Sequence, residues 1–128
     1  MSSLRRTLEG EVLVHHLKRD ERMIDQQLLA RSGRTARTLV KEGPLRLTLI
    51  ALAAGGDLPT HHADGPVTIH LLEGQVVFDV AREEFSLSAG DVLVLASGVP
   101  HSASSGDGCV LLLTVVHVPT GASAEAAS

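Results

Sequence analysis

The chain has no tryptophan, no tyrosine and only two phenylalanines, Phe78 and Phe85, in 128 residues. It therefore offers few flat side chains on which single-stranded nucleic acid can stack. It has one cysteine, Cys109, which excludes an internal disulfide framework. That cysteine opens the apolar run Cys109–Val116 and reads as a small buried hydrophobe, which suits a reducing cytoplasm. The longest apolar runs, near Leu49–Ala54 and Val110–Leu113, fall far short of the roughly 20 residues that a membrane-spanning helix needs. No continuous apolar stretch follows Arg5 and Arg6, so no secretory signal is read. These absences lead us to expect a cytoplasmic protein with neither membrane nor nucleic acid as partner.

What is present is enough apolar material for one core. At 13.4 kDa the chain makes a single domain, and 44% hydrophobic residues fill its interior without a staple. The net charge of −4 is unevenly spread. Residues 1–41 hold nine of the eleven Lys/Arg and five of the fifteen Asp/Glu, a net +4. Residues 42–128 keep Arg46 and Arg82 against ten acids, a net −8. We read the basic arm as docking on an acidic barrel, its own or a second copy's.

Apolar periodicity divides the chain. Between Asp20 and Arg31 the positions Met23, Ile24, Leu28 and Leu29 recur near helical spacing, with Asp20 or Asp25 as cap and Ser32-Gly33 as stop. This predicts one short helix. The stretch Glu11–Leu17 is ambiguous between strand and helix. From Thr35 the helical period gives way to β-rich runs at Thr35–Val40, Leu45–Ala53, Val67–Leu72, Gln75–Val80, Glu84–Leu87, Asp91–Leu95, His101–Ser104 and Val110–Val118. Turn residues separate them, among them Glu42-Gly43-Pro44, Gly55-Gly56-Asp57, Glu73-Gly74 and Gly98-Val99-Pro100. Strands this short and this regularly broken predict a sandwich or closed barrel. The expected organisation is an arm with a short helix over 1–34, a barrel over 35–118 and a disordered Ala/Ser-rich tail over 119–128.

Four of the seven histidines fall in two blocks of the predicted barrel. The first block runs from Gly55 through His61, His62 and His70 to Gly74; the second runs from Gly90 through Gly98 to His101. The pair resembles the two spaced motifs of the cupin superfamily. The first family motif is glycine, five residues, histidine, then a second histidine, a glutamate and a closing glycine; here Gly55, His61 and Gly74 match. The second is glycine, five residues, proline, then glycine and histidine; here Gly90, Gly98 and His101 match, with Ala96 in place of proline. The phrases Leu72-Glu73-Gly74 and Ala89-Gly90-Asp91 are also similar to those of small one-domain cupins. The resemblance covers roughly residues 45–117 and implies an all-β, double-stranded β-helix (jelly-roll) barrel. Three positions depart from it: Ala63 stands for the second histidine, Val67 for the glutamate and Ser105 for the asparagine after the last histidine. Two of the four family ligands are thus missing from their usual places.

Strand alternation puts Val67, Ile69 and Leu71 on one face and His70 on the other. On that phase His61 joins the lumen while His62 and His70 turn outward. A phase break at the turn Asp64-Gly65-Pro66 instead brings His70 in, and the expected metal set is then His61, His70 and His101. Expected pocket-lining residues are His62, Val67, Ile69, Leu71, Phe78, Val92 and Val94. Zn, Fe, Mn, Ni or Cu are all compatible with imidazole ligands. The bland readings stand beside these: His101 fixing the Gly98-Val99-Pro100 loop, His61 filling the barrel mouth, and His15, His16 and His117 lying on the surface. Cys109 has no activating base nearby in sequence.

Three functions follow from the resemblance and the residues together. One is a module that binds a small molecule, with or without a divalent metal, in the barrel lumen. The second is a metal-dependent oxygenase or isomerase acting on a small organic substrate. The third is a structural or oligomeric protein with a vestigial pocket. We also expect a homodimer, because edges such as Thr35–Val40 need cover.

Overall fold

The computed structural model describes residues 12–17 and 24–118. Its elements are α1 (Gln26–Ser32), β1 (Arg34–Glu42), β2 (Leu45–Leu52), β3 (Asp57–His61), β4 (Val67–Val80), β5 (Glu83–Ser88), β6 (Val92–Leu95), β7 (His101–Ser104) and β8 (Cys109–Val116). Every pairing is antiparallel. The strands form one curled sheet, folded along β4. The first half of β4 lies between β6 and β8, with β2 and β1 beyond β8. Its second half lies between β5 and β7, with β3 beyond β7. The all-β barrel expected from the sequence is the fold.

The helix is shorter than its periodicity suggests. It starts at Gln26 because the Asp25 carboxylate accepts from the Leu28 N–H at 3.0 Å, filling one orphan donor of the first turn. Gly33, at φ 80°, ends it and returns its N–H to the Leu29 carbonyl. Asp20 and Met23 lie outside the described residues, as do the basic arm's first eleven residues and the expected tail from 119 on. Residues 12–17 form neither strand nor helix.

Two strand expectations change. The runs 67–72 and 75–80 are one 14-residue strand, β4, not two strands parted by a turn at Glu73-Gly74. The register slips between Leu71 and Glu73, and this irregularity bends the strand from one half of the barrel into the other. Gly74 makes the bend possible. It sits at φ 82°, and a Cβ there would lie 2.1 Å from the Gly108 carbonyl oxygen, so only glycine fits. In addition, Asp57–His61, which falls between the β-rich runs expected from the sequence, is strand β3. Its proline, Pro59, is tolerated because β3 is an edge.

The inward faces pack Val67, Ile69, Leu71, Val76, Phe78 and Leu111 into the main core, each at most 2% exposed. Cys109 is buried there as expected. A second, smaller core lies on the outer face of the β1–β2–β8 half. There Leu39, Val40 and Leu49 are covered by Leu13, Leu17 and Ile24. Leu13, Leu17 and Ile24 thus pack on the outside of the sheet.

Candidate functional site

Strands β3 and β7 bring the two motif histidines together. His61 and His101 are directly opposed in the ladder, and directly opposed residues of antiparallel strands share a face. Their ring centroids are 4.4 Å apart with the planes tilted by 58°. Phe78 backs the pair from the core, 6.2 Å from the His101 ring. His101 is 2% exposed, whereas His61 is open to solvent. One imidazole is therefore buried against the core and the other reaches solvent.

Both rings are held the same way. His61 Nδ1 lies 3.1 Å from the Pro59 carbonyl, and His101 Nδ1 lies 3.0 Å from the Val99 carbonyl. A carbonyl oxygen only accepts, so Nδ1 carries the proton in each ring and Nε2 presents a lone pair. Each contact reaches back two residues, so the local chain path sets the ring orientation. Among the described residues no buried side-chain nitrogen or oxygen lacks a partner. Burial pushes the His101 pKa below its ordinary value; the Val99 hydrogen bond opposes this, while the neighbouring His61 and His62 add to it. Burial therefore favours the neutral form of His101, with Nε2 unprotonated.

The remaining expected site residues divide. Val67, Ile69, Leu71 and Phe78 are buried on the inner face, in the main core. His70 is not with His61 and His101. It lies between Ile69 and Leu71, both turned inward, and is paired with Val92 and Leu112 on the outer face. The turn at Asp64–Pro66 does not shift the phase of β4, and the three-histidine set is not formed. His62 does not line the lumen either; its side chain is 60% exposed and stands 4.0 Å from Asp64. Val92 and Val94 are on the outside, 53% and 67% exposed. Leu93 pairs with the inward Ile69, so Leu93 and Leu95 are the inward members of β6.

The donor set does not fit a resident divalent ion. Among the described residues no three of His, Cys, Asp or Glu converge on one point. Where the family pattern has its second histidine and its glutamate, Ala63 and the buried Val67 extend the apolar wall. Two imidazoles leave most of an ion's shell to be filled from outside. Sequence reasoning also missed a feature of the other face of β7. Ser102 and Ser104 alternate with His101 and Ala103, and with Asp57, Asp79 and Glu84 they line an open groove of about 350 Å³.

The Cupin domain family matches residues 48–124. Among solved structures, a conserved protein of unknown function from Streptococcus pyogenes is similar over 94% of this chain and 98% of its own, at 22% identity and a TM-score of 0.65. A cupin superfamily protein from Desulfitobacterium hafniense is similar over 68% of this chain and 80% of its own, at 16% identity and a TM-score of 0.65. Salicylate 1,2-dioxygenase from Pseudoaminobacter salicylatoxidans, with gentisate bound, has a TM-score of 0.71 and 22% identity; the match covers 80% of this chain and 32% of the dioxygenase. At these identities the structural likeness shows the fold alone. No curated protein matches the chain. Among the described residues no helix is long and apolar enough to cross a membrane.

Proposed function

This chain belongs to the cupin domain family, and from that premise we propose that it is a binding module that takes a small molecule at the His61–His101 pair. The observation that carries this reading is the pair itself: two imidazoles 4.4 Å apart, each with Nδ1 spent on a backbone carbonyl. Two acceptor nitrogens then meet beside an apolar wall that includes Phe78, Ala63 and Val99. Such a site suits a ligand with an O–H or N–H donor at one end and a compact apolar body. The donor meets Nε2, and the body displaces water from the mouth. No proton needs to move and no bond needs to break. A buried free thiol at Cys109 agrees with a cytoplasmic location.

Histidine-ring NMR tests this directly. Addition of phenol, a small apolar probe with one donor, is expected to shift the Nε2 resonances of both rings in a saturable way and to leave Nδ1 protonated. A His101→Leu variant is expected to lose the response. Absence of any saturable shift in the wild-type protein overturns the reading.

The dioxygenase neighbour and the motif positions of His61 and His101 favour a second reading, a metal-dependent oxygenase or isomerase. In it the two imidazoles would hold an added Zn, Fe, Mn, Ni or Cu ion, which would supply Lewis-acid or redox chemistry, and the donors missing from the chain would have to come from outside it. Elemental analysis after incubation with each ion separates the two. Near-stoichiometric metal that is lost in His101→Ala supports the enzyme; protein that stays metal-free supports the module.

A further inference from the structure

Strand β5 continues the row that joins the two histidines. His61 opposes His101 across β3 and β7, His101 opposes Val80 across β7 and β4, and Val80 opposes Glu83 across β4 and β5. Directly opposed residues of antiparallel strands share a face. The Glu83 side chain therefore stands on the same inner face as the imidazoles. Alternation along β5 agrees: Phe85 packs on the main core and Leu87 is buried in it, so 83, 85 and 87 are the inward positions. Glu84, the next acid, falls on the outer face beside Asp79.

The row is open at its ends and buried in its middle. His61 and Glu83 are exposed, while Val80 is 9% and His101 2% exposed. Three strand spacings separate the two ends, about 14 Å at the backbone. That is too far for the carboxylate and the imidazoles to share one ion, in keeping with the absence of a converging donor set among the described residues. It suits two anchors at the two ends of one molecule. Among the described residues nothing pairs with the Glu83 carboxylate. The surrounding field favours a cation, because residues 42–128 carry ten acids against two arginines. One of the two, Arg46, is held by the Gly43 and Leu45 carbonyls of its own hairpin. The other, Arg82, sits in the turn between β4 and β5, where no strand partner sets its side chain on the inner face.

Taking the His61–His101 pair as the binding site proposed above, we propose that Glu83 is its second anchor. The ligand is then an organic ammonium ion with a hydroxyl or N–H donor at its far end. The donor meets the unprotonated Nε2 of the imidazole pair. The ammonium meets the Glu83 carboxylate, and an apolar stretch between the two lies along the buried middle of the row. A neutral molecule with the same ring and donor lacks the second contact. A carboxylate in place of the ammonium meets Glu83 as a like charge. The imidazoles thus select for a donor, and Glu83 selects the sign of the charge at the other end.

Titration of the histidine-ring NMR signals with phenol, tyramine and 4-hydroxyphenylacetate tests this, since the three share ring and hydroxyl and differ in the charge of the tail. Tyramine is expected to bind about three- to fivefold tighter than phenol, the range of an exposed ion pair, and 4-hydroxyphenylacetate more weakly than either. High salt is expected to narrow the gap. Glu83→Gln is expected to bring tyramine down to the level of phenol, and Glu83→Lys to make 4-hydroxyphenylacetate the tighter of the two charged probes. Arg82→Gln is expected to keep the preference for tyramine. Equal affinities for phenol and tyramine in the wild-type protein overturn this proposal and leave the imidazole pair as a binding site. So does a preference for tyramine that Glu83→Gln does not change, or a wild-type preference for 4-hydroxyphenylacetate, which would assign that end of the row to Arg82. No saturable shift with any of the three overturns the pair and its second anchor together.

Discussion

His61 and His101 face one another across the β3–β7 ladder with their rings 4.4 Å apart, one open to solvent and the other 2% exposed. This difference in burial separates what each ring contributes to ligand and to fold. His61→Ala removes an exposed side chain and is expected to change stability by less than ~0.5 kcal/mol, while abolishing half of the acceptor pair. His101→Ala empties space beside Phe78 and is expected to cost about 1–3 kcal/mol. Urea unfolding of the two variants checks the difference. Equal and large losses would show that His61 belongs to the core.

The depressed pKa of His101 fixes the sign of a pH dependence. In the folded chain burial favours the neutral ring, whereas in the unfolded chain the ring titrates at its ordinary value of 6.5. Below that value the unfolded state binds more protons, so stability falls as pH drops from 6.5 towards the lowered folded value, and is fully present above it. The urea midpoint is expected to fall between neutrality and about pH 5, and less so in His101→Gln. A wild-type midpoint that rises on acidification contradicts the burial argument.

At the alkaline end the sign reverses through Cys109. Burial raises its thiol above the ordinary value of 9.0, with hydrogen bonds from Ser105 and Leu52 working against that. Above 9.0 the unfolded chain gives up the proton first, and stability falls as pH rises. A Cys109→Ala variant is expected to be less stable at neutral pH but to show a shallower alkaline loss, read from the same unfolding curves.

The turn Val80-Ala81-Arg82-Glu83 holds two non-glycine residues at φ 53° and 67°. Two-residue hairpins of this shape prefer Asn-Gly, because a side chain crowds the left-handed region at a cost of roughly 1–2 kcal/mol per residue. The double change Ala81→Asn/Arg82→Gly is therefore expected to stabilise the protein by about 1 kcal/mol, less than the full strain because glycine also loosens the unfolded chain. Differential scanning calorimetry should record a higher Tm. A lower one would mean that Ala81 or Arg82 makes an interaction worth more than the strain it bears.

Phe78 and Gly74 test the barrel itself. Phe78, 1% exposed at the heart of the core, is expected to cost about 3–5 kcal/mol as Phe78→Ala. Gly74→Ala meets the Gly108 carbonyl and a left-handed φ together, and is expected to cost ~2 kcal/mol or more. Thermal melts check both. A tolerated Gly74→Ala would mean that the bend in β4 has another conformation open to it.

The barrel class, the inward triad of Val67, Ile69 and Leu71, the buried Cys109 and the pairing of His61 with His101 were legible in the sequence. Each rests on local chemistry: strand alternation, turn residues, or motif glycines at fixed spacing. The exact composition of β6 and β4 was not. Alternation marks two faces without saying which one is inside, and by itself it allows Val92 and Val94 in the lumen; only the pairing of Leu93 with Ile69 turns them out. For the same reason alternation leaves His70 open to either face, and its pairing with Val92 and Leu112 decides for the outer one. Composition and spacing determined the fold and named the two histidines. Tertiary structure decided which side chains share a space, because faces, edges and covers are set by the strand that lies alongside, and that neighbour is far away in sequence.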